Sequence, residues 1–155
     1  MNQNFRDAVI FGNLDSVRSF IAESPEIVKE VDDYEFTALH EVVGEDLVEV
    51  AKLLLDSGAD PNAQNDDGIA PLHLAAYPYM VDLLVDYGAD LNLKSNDDAT
   101  PLIVHSSEQD AFEVMERLLE LGADPTAESK NGTALSIAQL RDEPEKVGLL
   151  EQYLP

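Results

Sequence analysis

Two short motifs recur along the chain at a nearly constant interval. The tripeptide Gly-Ala-Asp occurs three times, beginning at Gly58, Gly88 and Gly122. A second motif, with leucine in its third place, begins at Thr37, Ala70, Thr100 and Thr133, so its copies lie 33, 30 and 33 residues apart and in phase with the first motif. A period of this length indicates stacked structural units that bury their apolar faces against one another.

Each period has the pattern of helix, turn, helix and loop. The second motif suits a helix start, because a threonine hydroxyl can cap free backbone amides and a proline fits the first helical position. These residues are Thr37, Thr100 and Thr133, and Pro71 and Pro101. An apolar stripe typical of a second helix follows at Leu47, Val50, Ala51, Leu53 and Leu54. The glycine of the Gly-Ala-Asp motif then supplies the left-handed conformation that ends a helix.

On these motifs the chain resembles the ankyrin-repeat family, which has a period of about 33 residues and the signature Thr-Pro-Leu-His-x-Ala. The resemblance implies an all-α ankyrin-repeat solenoid of about five stacked helix-turn-helix repeats, joined by short hairpin-like loops. It divides a single domain, residues 1–155, into repeats at about 1–32, 33–66, 67–96, 97–129 and 130–155. We expect the first and last to be capping repeats, because interior faces of a solenoid need cover.

The third repeat is shorter than its neighbours. Between its cap motif and its glycine it has lost three residues, around Tyr77-Pro78-Tyr79, where the family has its inter-helix turn. This predicts a tighter turn that displays both tyrosines. The change either fits the repeat to a particular neighbour or is neutral drift in a tolerant turn. The last loop, before Thr133, is one residue short as well.

The composition excludes several classes of function. The chain has no cysteine, which removes disulfides and thiolate sites, and 32 acidic against 9 basic residues give a net charge of −23. Such a charge repels phosphate backbones and anionic lipids, and the chain contains no run of about 18 apolar residues. We therefore expect a cytoplasmic protein, monomeric when free, that binds neither nucleic acid nor membrane. The same charge attracts a basic protein.

The sequence predicts no catalytic residue, no metal ligand and no cofactor. His40 and His73 lie on the signature histidine, which in this family ties successive loops together, and His105 lies two places further along its own helix. Histidines one repeat apart do not converge on a metal, which needs three or four ligands. No glycine-rich phosphate loop and no nucleophile motif is present. We therefore expect a protein without enzymatic activity.

The resemblance also implies where a partner binds. In ankyrin repeats the variable contact positions are the loop before the cap motif and the end of the first helix, which together line a concave surface. In this chain they are Ile10, Phe11, Asp33, Tyr34, Phe36, Glu45, Asp66, Asp67, Ile69, Tyr77, Tyr79, Asn96, Asp97 and Glu108. For Phe36 and Ile69, partial burial against the neighbouring loop is the alternative.

These positions are acidic and aromatic, as suits a surface for a basic protein, because buried rings carry affinity and charge steers encounter. The charge is concentrated in the second and fourth repeats, at −8 each. Uniform acidity would suit solubility or high salt instead. The favoured hypothesis is a non-enzymatic module that binds and inhibits a basic protein, such as a toxin or nuclease domain, as bacterial immunity proteins do. The alternative is a general interaction scaffold or regulatory subunit.

Overall fold

The computed structural model describes residues 1–155 and contains ten α-helices arranged as five pairs. The pairs are α1 (Gln3–Ile10) with α2 (Leu14–Glu23), α3 (Ala38–Val42) with α4 (Val48–Asp56), α5 (Pro71–Leu74) with α6 (Pro78–Asp86), α7 (Pro101–Ser106) with α8 (Phe112–Glu120), and α9 (Ala134–Leu140) with α10 (Pro144–Tyr153). A 3-10 helix, Pro25–Lys29, follows α2. The predicted all-α solenoid of five helix pairs is confirmed. No helix has both the length and the apolar character needed to cross a membrane.

One apolar core runs through all five pairs. Leucines buried almost completely recur at equivalent positions of the helices, namely Leu39, Leu72 and Leu102 in first helices and Leu54, Leu84, Leu118 and Leu150 in second helices. They belong to a single cluster of 32 buried residues. Because each such side chain contributes about 1.5–3 kcal/mol when fully buried, stacking of neighbouring pairs supplies most of the stability.

The prolines and glycines at the helix ends follow the predicted chemistry, whereas of the three threonine hydroxyls only that of Thr133 caps a backbone amide. Pro71 and Pro101 are the first residues of α5 and α7, and Gly58, Gly88 and Gly122 have φ values of +93°, +90° and +100°. The hydroxyl of Thr133 caps α9 by accepting from the Ser136 amide at 3.2 Å.

The prediction that Thr100 caps its helix through its hydroxyl is wrong. This hydroxyl is buried and has no hydrogen-bond partner. The Thr37 hydroxyl, at the same position of the second repeat, lies 2.8 Å from Nδ1 of His40. In the fourth repeat Ile103 replaces that histidine, and an isoleucine side chain has no acceptor, so the Thr100 hydroxyl lacks the partner that Thr37 has.

The deletion in the third repeat shortens both the first helix and the turn. Helix α5 has only four residues, whereas α3 has five and α7 has six. Ala75 and Tyr77 have extended backbone conformations, and α6 begins directly afterwards at Pro78. The Ala76 amide donates to the Val43 carbonyl of the previous repeat at 3.2 Å. The short turn therefore lies against its neighbour and exposes 36% of Tyr77 and 41% of Tyr79.

The shorter last loop forms the one small sheet of the structure. Strands β1 (Glu128–Ser129) and β2 (Gly132–Thr133) pair antiparallel, with Glu128 opposite Thr133. Losing one residue leaves a two-residue connection between the strands, the commonest length for a β-hairpin.

Candidate protein-binding surface

Each inter-repeat loop is held by the side chain of its first residue. The Asp32 carboxylate accepts from the amides of Tyr34 and Phe36, both at 2.9 Å. The corresponding residues of the next two loops each accept from two amides in the same way, through Oδ1 of Asn65 and Oγ of Ser95. In the last loop Oγ of Ser129 accepts from one amide, that of Asn131, and donates to the Gly132 carbonyl. These side chains satisfy amides that a tight loop would otherwise leave free.

Backbone hydrogen bonds join the successive loops to one another. They run from the Asp66 amide to the Tyr34 carbonyl at 3.2 Å, from Asn96 to Asp67 at 3.0 Å and from Lys130 to Asp97 at 3.0 Å. The loop tips therefore form a continuous row, which we call the loop row, residues 32–36, 65–69, 95–99 and 129–132. Its backbone is fixed before any partner arrives, so binding there costs little ordering entropy.

The two signature histidines lie beneath the loop row and fasten it. Nδ1 of His40 accepts from the Thr37 amide at 3.1 Å, while Nε2 donates to the Ile69 carbonyl of the next loop at 3.0 Å. His73 makes the same pair of bonds with Ala70 and Ala99. Burial lowers the pKa of both histidines, so both rings are neutral at pH 7. Their nitrogens are used in structural bonds, as the sequence predicts.

The loop row carries eight of the predicted contact residues, in different settings. Asp33, Tyr34, Asp66 and Asp67 are exposed, Tyr34 by 69%. Phe36 and Ile69 are half-buried, and the Phe36 ring packs edge to face on His40 with the ring centroids 5.4 Å apart. The alternative of partial burial therefore describes both residues.

The two remaining loop residues already have partners within the chain. The Asn96 side-chain amide donates to the Asp66 carbonyl at 2.7 Å, and the Asp97 carboxylate lies 3.2 Å from Nζ of Lys130. Both side chains are exposed, but they help to join neighbouring loops. A partner would therefore have to compete with these bonds.

The other six predicted residues lie at the opposite ends of the first helices, along a second row. This turn row comprises residues 10–12, 44–46, 75–79 and 107–110. Ile10, Phe11 and Glu45 are exposed, Phe11 by 80%. Because the first helices between the rows have only four to six residues in repeats two to four, the rows are separated by about 6–9 Å of helix.

Tyr77 and Tyr79 form a stacked aromatic pair in the turn row. Their rings are stacked, with the centroids 5.1 Å apart and the planes inclined by 9°. The Tyr79 hydroxyl donates to Asp46 of the previous repeat at 2.7 Å. Withdrawal from water and this hydrogen bond raise the pKa of Tyr79 to about 12, so it stays protonated and remains a donor at neutral pH.

Glu108, the last predicted residue of the turn row, takes part in a structural network. Its carboxylate lies 2.8 Å from Nδ1 of His105, and this hydrogen bond is the main reason why the pKa of Glu108 is lowered. Nε2 of His105 donates to the Leu72 carbonyl at 3.2 Å. The buried Lys146 donates to the Glu108 carbonyl and lies 2.5 Å from Glu143. Glu108 thus joins the fourth repeat to its neighbours.

The sequence motifs did not predict a role for Asp46, Lys146 or the loop-holding side chains. A pattern for the loop-holding residues was present, since Asp32, Asn65 and Ser95 each lie five residues before the start of a cap motif and Ser129, in the shortened loop, lies four residues before it. Asp46 and Lys146 have no such pattern, because their partners are 33 and 38 residues away in the chain.

A surface pocket adjoins the turn row at Gln109. Its volume is about 560 Å³, and it opens between the start of α8 and the start of α10. Seven of its eight lining residues are polar, charged or proline, with Phe112 the one hydrophobic residue. The structure groups no set of three metal-ligating side chains.

Comparison with known proteins supports the same architecture. The sequence model of the family described as "Ankyrin repeats (3 copies)" matches residues 45–129, which is more than half of the chain. A 52-residue segment, 34% of the chain, is 46% identical to human transient receptor potential cation channel subfamily A member 1. A 68-residue segment, 44% of the chain, is 34% identical to alpha-latrocrustotoxin-Lt1a of Latrodectus tredecimguttatus.

The matched segments make up only 5% of the length of each of these two relatives, so the likeness concerns the repeats and not the whole proteins. Repeats of this kind are generally modules for protein–protein interaction and are typically non-catalytic. By its repeat period, its helix pairs and the match over residues 45–129, the chain belongs to the ankyrin-repeat family.

Proposed function

We propose that this chain is a non-enzymatic protein-binding module of the cytoplasm that binds and inhibits a basic protein, for example the cognate toxin of an immunity protein. The observation that carries the proposal is the display of exposed aromatic rings beside exposed carboxylates. On the loop row Tyr34 lies beside Asp33 and Asp66, and on the turn row Tyr79 contacts the exposed Asp46, which follows Glu45 in the chain.

The charge of the chain favours a basic partner. A net charge of −23 produces an attractive field for a basic surface, which raises the association rate at low ionic strength. The aromatic rings provide apolar area that a partner can cover, and tyrosine does so at low entropic cost. Charge therefore governs encounter, while the rings govern how long the complex lasts.

Tyr34 offers the sharpest test among the predicted contact residues. Its ring is 69% exposed, whereas its carbonyl accepts the hydrogen bond from Asp66. Tyr34→Ala therefore removes the ring and keeps the loop bond. Phe36 is a poorer choice, because its ring packs on His40 and its loss would also disturb the core.

The first experiment is an affinity capture from host lysate at low and physiological salt, with partners identified by mass spectrometry. We expect one basic protein in near-equal amount. Tyr34→Ala is expected to lower its affinity about tenfold, while the control Tyr153→Ala, which removes a ring 40% exposed outside both rows, leaves it unchanged. An association rate that does not fall between 50 and 300 mM salt would contradict the proposal that charge attracts the partner.

A general scaffold or regulatory subunit is the second candidate. It is favoured by the two relatives, a cation channel and a latrocrustotoxin, in which segments like this one form a small part of a long protein. Capture of several unrelated partners, with no inhibition of any activity, would favour this candidate over the toxin inhibitor.

A further inference from the structure

Helix α6 carries two tyrosine–carboxylate pairs of the same design, one at each end. At its beginning Tyr79 donates its hydroxyl to Asp46 at 2.7 Å, and at its end Tyr87 donates to Asp56. Both aspartates belong to the previous repeat, where Asp46 lies just before helix α4 and Asp56 is its last residue. The stacking of α6 on α4 thus places a tyrosine ring beside a carboxylate twice.

The pair at the end of α6 holds a cation from the chain itself. Nζ of Lys52 lies 2.8 Å from Oδ2 of Asp56 and 3.2 Å from the hydroxyl oxygen of Tyr87. The ammonium group therefore binds the carboxylate and the tyrosine hydroxyl together, which combines an ion pair with a charge-assisted hydrogen bond. This triad shows, within the same molecule, that a tyrosine–carboxylate pair can bind a cationic side chain.

The pair at the beginning of α6 has no cation of its own. None of the ion pairs of the chain includes Asp46. Tyr77 supplies a second ring there, stacked on Tyr79 at an angle of 9°. The two rings are 36% and 41% exposed, and the neighbouring Glu45 adds a second carboxylate in contact with solvent. The result is a flat aromatic surface bordered by negative charge.

We infer that the Tyr77–Tyr79–Asp46 cluster binds an arginine side chain of the basic partner. The inference deepens the proposed function and rests on it. Arginine fits better than lysine, because its planar guanidinium can lie flat on a ring while an N–H donates to a carboxylate in the same plane. Tyr79 occupies only Oδ1 of Asp46, so Oδ2 is free to accept that bond. The three-residue deletion creates this cluster by exposing both tyrosines.

The cluster can be tested without knowing the partner. The probe is the blocked peptide acetyl-Gly-Arg-Gly-Arg-Gly-amide, titrated at about 0.15 M salt to weaken diffuse attraction, with tyrosine ring signals followed by NMR. Peptides with lysine or with neutral citrulline in place of arginine serve as comparisons. Asp46→Asn removes the carboxylate of the cluster. Asp86→Asn is the matched control, because it removes one exposed charge at the end of α6, whereas the cluster lies at the beginning of α6.

We expect saturable shifts of Tyr77 and Tyr79 with the arginine peptide and weaker binding of the other two peptides. Asp46→Asn should lower the affinity about twofold to fivefold, the size of an exposed cation–π and ion-pair contact, and Asp86→Asn should not change it. Equal affinity for the citrulline peptide, equal effects of the two substitutions, or shifts spread equally over Tyr34 and Tyr153 would overturn the inference.

The captured partner separates failure of this inference from failure of the proposed function. If a basic partner binds the wild type and the Tyr77→Ala/Tyr79→Ala double variant equally well, the proposed function stands and the inference that the cluster binds an arginine is wrong. If the wild type captures no basic partner, the proposed function fails. If the partner binds the double variant more weakly while circular dichroism shows an intact fold, both stand.

Discussion

Two threonines at equivalent positions are expected to respond in opposite directions to the same substitution. Thr37 and Thr100 both precede a first helix and are 7% and 1% exposed. The Thr37 hydroxyl lies 2.8 Å from Nδ1 of His40, whereas the Thr100 hydroxyl is buried without a partner. Valine has nearly the shape of threonine, so Thr37→Val and Thr100→Val exchange a hydroxyl for a methyl group and leave the backbone in place.

The magnitudes follow from the environment of each hydroxyl. A buried polar group without a hydrogen bond costs about 1–3 kcal/mol, and a buried methyl group contributes about 0.8 kcal/mol. Thr100→Val should therefore raise the free energy of unfolding by about 1–2 kcal/mol. Thr37→Val loses a buried hydrogen bond and should lower it by about 1 kcal/mol. In a chain of 155 residues, 1 kcal/mol shifts the melting temperature by about 2–4 °C.

The assay is urea unfolding followed by circular dichroism and tyrosine fluorescence, with the m-value compared among wild type and both variants. Coinciding transitions establish two-state behaviour, which stacked repeats do not always show. Equal destabilisation by both substitutions would refute the reasoning, because it would show that the Thr100 hydroxyl is satisfied. Stabilisation by both would show that the hydroxyl of Thr37 contributes nothing through His40.

Further predictions concern the loop row and pH. Glu35 has a φ of +62° where the next loop has Gly68 at +73°, so Glu35→Gly should raise the free energy of unfolding by about 1 kcal/mol. Gly68→Ala should lower it by at least about 2 kcal/mol in the same urea assay, because the new Cβ would lie 2.6 Å from the Asn96 amide nitrogen.

The pKa of His73 is lowered in the folded state, so its contribution to stability is full above about pH 6.5 and is lost as pH falls through the folded pKa. Between pH 7.5 and 5.5, the free energy of unfolding of His73→Gln should therefore fall less than that of the wild type, and an equal fall would contradict this assignment.

The architecture was predictable from the sequence because its determinants are local. The repeat period, the prolines at helix starts and the glycines after helix ends each act within a few residues, and all were found where the pattern placed them. The exposure of Tyr77 and Tyr79 could be predicted by counting residues in the third repeat, because the three-residue deletion leaves a short turn with little room to bury two rings.

The remaining features depend on residues about one repeat away. The Thr100 hydroxyl lacks the histidine partner that Thr37 has, and the bonds that tie the fourth repeat to its neighbours come instead from His105 and Lys146, which contact Leu72 and Glu108. The pairing of Tyr79 with Asp46 requires the register between α6 and α4. Spacing along the chain gives the order of the repeats, but it does not give the side-chain register between them.

Contacts within the chain make the fourth repeat less available to a partner than the first three repeats. In the fourth repeat the carboxylates of Asp97 and Glu108 are engaged by Lys130 and His105, which also hold the repeats together. The exposed rings of the loop row and the turn row, Phe11, Tyr34, Tyr77 and Tyr79, all lie in the first three repeats. A partner that covered the two rows at the fourth repeat would compete with structural bonds and would meet no exposed aromatic ring of either row there. We therefore expect contact on repeats one to three, with the charge of the fourth repeat acting through its field on the approaching partner.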